Sequence, residues 1–168
     1  AAAALGAIDP GPVPIDVGHV APARWVLGAV GDARPALIAA LARKDKAAVA
    51  RAVAAAPADV AAAAVALVGL WGPVDDVVAR ARALTWPADV TVALAELEAA
   101  VAAAHALAPG ARFTADLGEL RGFDYYTGLR FAGYLHGAGD AVLRGGRYDG
   151  LVGRYGRPAR AIGYAIDI

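Results

Sequence analysis

The sequence predicts an α+β fold: an antiparallel sheet interrupted by an Ala-rich helical insert. Three observations carry this expectation. A Pro-punctuated stretch at 8–17 leads into a short apolar strand. Apolar residues then recur with a helical period from Asp32 to about Leu107. After Gly110 the period drops to two, the spacing of strands with one buried face.

The elements follow in order. Residues 13–17 form the entering strand, and Gly18-His19-Val20 turns into a helix whose first turn tolerates Pro22. Val26, Leu27 and Val30 face one way, with Gly31 as the expected C-cap. Asp32 caps a helix striped by Leu37, Ile38 and Leu41. Asp45 caps the next, which reaches Ala56 and is stopped by Pro57. Asp59 opens a helix through Leu67 to Trp71, closed by Gly72-Pro73, and Asp75 opens a fourth. The long helix from Asp89 to Leu107 ends before Pro109-Gly110. Alanine favours helix but buries little area, so this block reads as closely packed scaffolding. Beyond it, 112–120, 125–135, 141–144 and 161–168 read as strands, 137–140 as a hairpin turn and 148–155 as a short helix. Consecutive strands with short turns imply antiparallel pairing. The chain is thus one unit in three parts: strand and helix at 13–31, helical insert at 32–110, antiparallel strands at 111–168.

Its 168 residues suffice for one sizeable core. Lys+Arg and Asp+Glu are 16 each, so net charge gives no pull toward nucleic acid or an anionic membrane. Residues 112–168 carry 8 basic groups, all Arg, the side chain that forks onto carboxylates; the Ala-rich composition offers genome base content as a second explanation. With no cysteine there is neither disulfide nor thiolate site, which fits a reducing, cytoplasmic setting. His19, His105 and His136 lack ligand spacing, so no metal is expected. His136, beside a turn, reads as solvated, whereas His19 stands where a strand gives way to a helix. The uncharged run 60–74 is too short to cross a bilayer, and the start lacks a basic leader. The chain stops inside an apolar run, and we expect a piece of something longer.

Chemistry concentrates in Arg121-Gly122-Phe123-Asp124-Tyr125-Tyr126-Thr127-Gly128 and in Gly145-Gly146-Arg147-Tyr148-Asp149. Arg121 can grip a carboxylate in a fork. Tyr125, Tyr126 and Tyr148 offer phenols and ring faces, and Gly145-Gly146 lets backbone approach a ligand. The set suits a small zwitterion with a planar head. It equally suits a sheet edge with ion pairs Arg121–Asp124 and Arg147–Asp149 and core tyrosines. Strict alternation would also turn Tyr126 away from Arg121 and Tyr125. Either Gly122 breaks the register, or only part of the set shares a pocket. No nucleophile elbow, Ser/His/Asp order or P-loop is present.

At these residues the chain resembles the histidyl-tRNA synthetase family of class II aminoacyl-tRNA synthetase cores. Arg-Gly-Phe-Asp-Tyr-Tyr-Thr is similar to that family's Arg-Gly-Leu-Asp-Tyr-Tyr motif, Gly-Gly-Arg-Tyr-Asp to its second, and Ala161-Ile162-Gly163-Tyr164-Ala165-Ile166 to the strand opening motif 3. Within the family it resembles the ATP phosphoribosyltransferase regulatory subunit branch, which no longer charges tRNA. That likeness rests on Ile15-Asp16-Val17-Gly18-His19-Val20, Leu41-Ala42-Arg43-Lys44-Asp45 and Asp116-Leu117-Gly118-Glu119-Leu120. Asp167 stands where synthetases have a motif 3 glycine near ATP, and a carboxylate there would repel triphosphate. Phe131-Ala132 also lacks the acidic residue usual after that Phe. Motifs 1 and 2 would precede residue 1.

The resemblance implies a class II synthetase-like core with no catalytic residues and no cofactor of its own. It would be a regulatory subunit in histidine biosynthesis, binding and activating the short catalytic subunit of ATP phosphoribosyltransferase and relaying feedback by histidine. It would act as a homodimer within a hetero-oligomer, with no tRNA and no membrane. Histidine would meet Arg121 through its carboxylate and Tyr126 and Tyr148 through its imidazole, over a floor of Gly145 and Gly146, with Tyr125 a further contact. The alternative is a histidine–tRNA ligase core fragment, in which Arg121 would stabilise charge on the reacting carboxylate and phosphate. A Glu-Arg pair after Ile168 would favour the ligase. A pseudo-synthetase module of a larger regulatory protein is a third reading.

Overall fold

A computed structural model describes residues 5–7, 11–154 and 156–167. Residues 8–10 of the entering loop, Tyr155 and Ile168, all included in the predicted elements, lie outside the described residues. Six strands form one sheet: β1 (Pro14–His19), β2 (Trp71–Pro73), β3 (Arg112–Asp116), β4 (Leu129–Gly133), β5 (Leu143–Arg147) and β6 (Ile162–Ile166). Their order is β2-β3-β1-β4-β5-β6.

The sheet is mixed, which corrects the expectation of purely antiparallel pairing. β1 and β3 run parallel, Ile15 opposite Phe113 and Val17 opposite Ala115. The short-turn argument holds for β4 and β5; β5 and β6 also pair antiparallel, but across a longer connection that includes a short helix. It fails for β1 and β3 because the whole helical block lies between them, and a long connection lets the returning strand run either way.

The helices are α1 (Ala21–Gly28), α2 (Arg34–Ala42), α3 (Lys46–Ala52), α4 (Ala58–Leu67), α5 (Val74–Arg82), α6 (Ala88–Leu107) and α7 (Asp149–Val152). Asp45 caps α3 as expected, accepting the Ala48 N–H at 2.9 Å. Asp32 does not cap α2; it lies in the 3-10 turn Gly31–Ala33, begun by Gly31 at φ +51°. Gly31 is therefore not the C-cap of α1, a place taken by Ala29. The helix expected to reach Trp71 ends at Leu67. Trp71, Gly72 and Pro73 instead form β2 against β3. Arg80 fixes this departure by donating to the carbonyls of Gly69 and Trp71 at 2.7 and 2.9 Å.

Leu27, Leu37, Leu41, Val49, Leu67 and Leu97 are fully buried where the helices meet. α6 is long and apolar enough to span a bilayer by length and composition. Its stripe of Val90, Ala93, Leu94, Leu97 and Val101 is nevertheless spent on the protein's own core. The strands present two faces. Ile15, Val17, Leu129 and Phe131 look toward α6. Asp16, Gly18, Arg130, Ala132, Arg144 and Gly146 occupy the other face by strand alternation and register.

Candidate functional site

The Tyr125 end of the Arg121 motif, expected to begin a strand, instead closes a tight turn, and β4 starts only at Leu129. Gly122 adopts φ +71°, and its carbonyl accepts the N–H groups of both Tyr125 and Tyr126 at 2.9 Å. A Cβ there would lie 2.6 Å from the Tyr126 ring, so the position requires glycine twice over. The reversal resolves the alternation conflict: Tyr126 comes to the same side as Arg121, and Tyr125 is turned out. Arg24 of α1 holds the turn from behind, donating to the Phe123 and Tyr126 carbonyls at 3.2 and 2.8 Å with its guanidinium over the Phe123 ring.

In front of the turn is a cavity of about 40 Å³ lined by Asp16, Glu119, Arg121, Tyr126, Arg130, Phe131, Ala132, Tyr134 and Arg144. Its floor is an ion pair. Arg130 is 7% exposed, reaches Asp16 at 3.1 Å and donates to the Asp116 carbonyl at 2.5 Å. Gly18 makes room for it, because a Cβ there would meet the guanidinium at 2.9 Å. Burial raises the Asp16 carboxyl above its ordinary value despite the opposing pull of Arg130. At the rim, Arg121 Nε lies 3.1 Å from Glu119 and Nη1 3.5 Å from Asp140, while Arg144 holds Asp140 at 2.6 Å. Burial would raise Glu119, but the Arg121 N–H and guanidinium outweigh it and hold the acid below its ordinary value. Burial, helped by neighbouring Tyr125, raises the Tyr126 phenol, which stays a neutral donor and acceptor at physiological pH. Arginines and carboxylates around two phenols can recognise a zwitterion, carboxylate to arginine and ammonium to acid.

The predicted residues divide. Arg121 and Tyr126 line the cavity, and Gly146 lies under the Tyr126 ring, where a Cβ would come within 2.6 Å. Tyr125 and Tyr148 stand beside it, with rings 5.2 Å apart and Tyr125 5.4 Å from Tyr126. The Tyr148 hydroxyl sits against Gly163 of β6. Gly145 belongs to the opposite face, packed on Phe131 and Tyr164, so it is no part of the cavity floor. The expected pair Arg121–Asp124 gives way to Arg121–Glu119, whereas Arg147–Asp149 forms at 2.7 Å. Sequence reasoning missed Asp16, Glu119, Arg130, Tyr134 and Arg144 as cavity residues. A signal existed for two of them, since Asp16 and Arg130 are opposite charges in the middle of apolar strands. Asp167 is largely exposed and 3.9 Å from Arg144. That guanidinium offsets part of its charge, which weakens the repulsion argument against a bound triphosphate.

A second polar group occupies the far face. Glu96 of α6 lies 3.5 Å from His19 Nε2 and 3.8 Å from Arg147. His19 Nδ1 accepts the Ala21 N–H at 3.1 Å, capping the start of α1 and placing the proton on Nε2. Burial pulls the His19 pKa below its ordinary value, opposed by Glu96. His136 is exposed. Among the described residues no three His, Asp or Glu side chains are grouped to hold a metal ion.

A mixed sheet with a helical block between its parallel strands, and an Arg-Tyr turn facing a double-glycine strand, define a class II aminoacyl-tRNA synthetase-like core. The family described as histidyl-tRNA synthetase matches over residues 1–168. The chain belongs to that family. Similar curated proteins include the ATP phosphoribosyltransferase regulatory subunits of Anaeromyxobacter dehalogenans, 47% identical over 92% of this chain and 45% of that protein, and of Pseudomonas aeruginosa, 39% identical over 93% and 41%. The chain thus spans less than half the length of these relatives. Among solved structures, an ATP phosphoribosyltransferase regulatory subunit/histidyl-tRNA synthetase from Bacillus halodurans C superposes with TM-score 0.74 at 26% identity, covering 93% of this chain and 42% of that one. A histidine–tRNA ligase subunit from Alicyclobacillus acidocaldarius gives 0.65 at 30% identity, over 92% and 51%.

Proposed function

We propose that the chain serves as a regulatory subunit of ATP phosphoribosyltransferase in histidine biosynthesis, without catalytic residues of its own. It acts in the cytoplasm, as a homodimer within a hetero-oligomer, on a short catalytic subunit that joins phosphoribosyl pyrophosphate to ATP. L-Histidine is the ligand of the cavity: Arg121 takes its carboxylate, Tyr126 and Tyr148 face its imidazole, and Asp16, in the same lining, is left for its ammonium. Feedback follows if histidine binds the active and inactive assemblies unequally. The observation that carries this reading is the identity with curated regulatory subunits, 44–47% for the Anaeromyxobacter proteins.

The test uses the intact protein with its catalytic subunit. Co-purification, together with histidine inhibition that Arg121→Ala abolishes while activation persists, is the expected result. A second reading, a histidine–tRNA ligase core, is favoured by the 30% identity to the Alicyclobacillus ligase subunit. Histidine-dependent ATP–pyrophosphate exchange decides between them. Robust exchange would overturn the regulatory reading.

A further inference from the structure

We propose that Glu119 and Asp140 are built-in competitors for the ligand's carboxylate, occupying the Arg121 guanidinium until a small zwitterion displaces them. This deepens the histidine reading of the site and rests on it. The cavity, at about 40 Å³, has room for a few waters at most. Small-molecule pockets run to several hundred Å³, so something must move before an amino acid enters.

The lining shows which part can move. Arg130 is buried and doubly held, and Tyr126 is packed between Gly122 and Gly146. Arg121 is different, because its side chain is 68% exposed and its partners, Glu119 and Asp140, lie on a loop and a hairpin turn. That turn bends at Gly137, φ +78°. The exposed pair Arg121–Asp140 is easily exchanged, whereas Glu119, its side chain 23% exposed, yields only to a partner that takes more of the fork. Glu119 engages Nε through one oxygen while its other accepts the Arg121 backbone N–H at 2.8 Å, and Asp140 approaches Nη1, so each acid takes only one N–H of the guanidinium. A free carboxylate can instead take two parallel N–H bonds from one edge of the fork. Its entry leaves Asp140 to Arg144 and the Ala141 N–H. The two acids therefore set the affinity threshold, and only for ligands with a carboxylate.

The test is a titration of the intact protein read at the Arg121 Nε–H resonance, with L-histidine, L-histidinamide and acetate as probes. Glu119→Gln is expected to lower half-saturation about two- to five-fold for histidine and acetate, with histidinamide unchanged. Asp140→Asn shifts in the same direction by less, and serves alone if Glu119→Gln does not fold. Asp124→Asn, which removes a charge from the same loop, leaves all three within two-fold. Equal tightening of histidinamide, or no tightening of acetate, overturns the proposal. Acetate tightening with histidine no stronger than acetate leaves the competitor mechanism standing and removes histidine as the ligand.

Discussion

His19 is the residue where pH should act on folding. Burial holds its folded pKa below the ordinary value of 6.5, while the unfolded chain protonates there. Stability from this site is full above pH 6.5 and is lost as pH falls through that value toward the folded pKa. Protonation also removes the Nδ1 acceptor of the Ala21 N–H. Thermal melts between pH 7.5 and 5.5 should fall for the wild type and flatten for His19→Asn, whose amide oxygen can replace Nδ1. Parallel curves for the two proteins would contradict this. Gly18→Ala should cost about 1–3 kcal/mol in denaturant titrations, because its methyl meets the pinned Arg130 guanidinium. At this scale the sequence was partly legible. Arg121 and Tyr126 stood out by residue type; Asp16 left a signal as a charge inside an apolar strand, but its partner Arg130 is 114 positions away, and Glu119 left none. Gly145 was misread as floor because a double glycine puts its two members on opposite faces.

Among the elements, the join between α2 and α3 links the helical block to the site. Lys44 adopts φ +53°, unusual for a residue with a Cβ. Its ammonium reaches Asp116 at 2.7 Å, and the carbonyl of that same residue accepts Arg130 from the cavity floor. The next residue, Asp45, caps α3; Asp45→Ala should lower stability by about 1 kcal/mol, seen as a shifted midpoint with an unchanged slope. Lys44 and Asp45 thus each have a structural role at this join. Helices here were legible from apolar spacing and from Pro and Asp at their ends. β2 was not, because three residues carry no periodicity and its pairing partner lies more than forty positions away.

For the whole molecule, the parallel pair β1–β3 matters most. It closes only when a stretch of about ninety residues returns to its start, at a cost in chain entropy that local helices do not bear. Pulse-labelled hydrogen exchange during refolding should therefore protect amides of α2, α3 and α4 before those of β1 and β3; simultaneous protection would contradict it. The α+β class was readable because its two halves have different periods, whereas strand direction depended on a contact that no local pattern records. The Arg112 N–H donates to the Val13 carbonyl, so the excursion departs from and returns to bonded neighbours. Such a doorway lets the helical block change length where it does not meet the sheet, while contacts such as Lys44–Asp116, which steady the floor of the polar cavity, have to be kept.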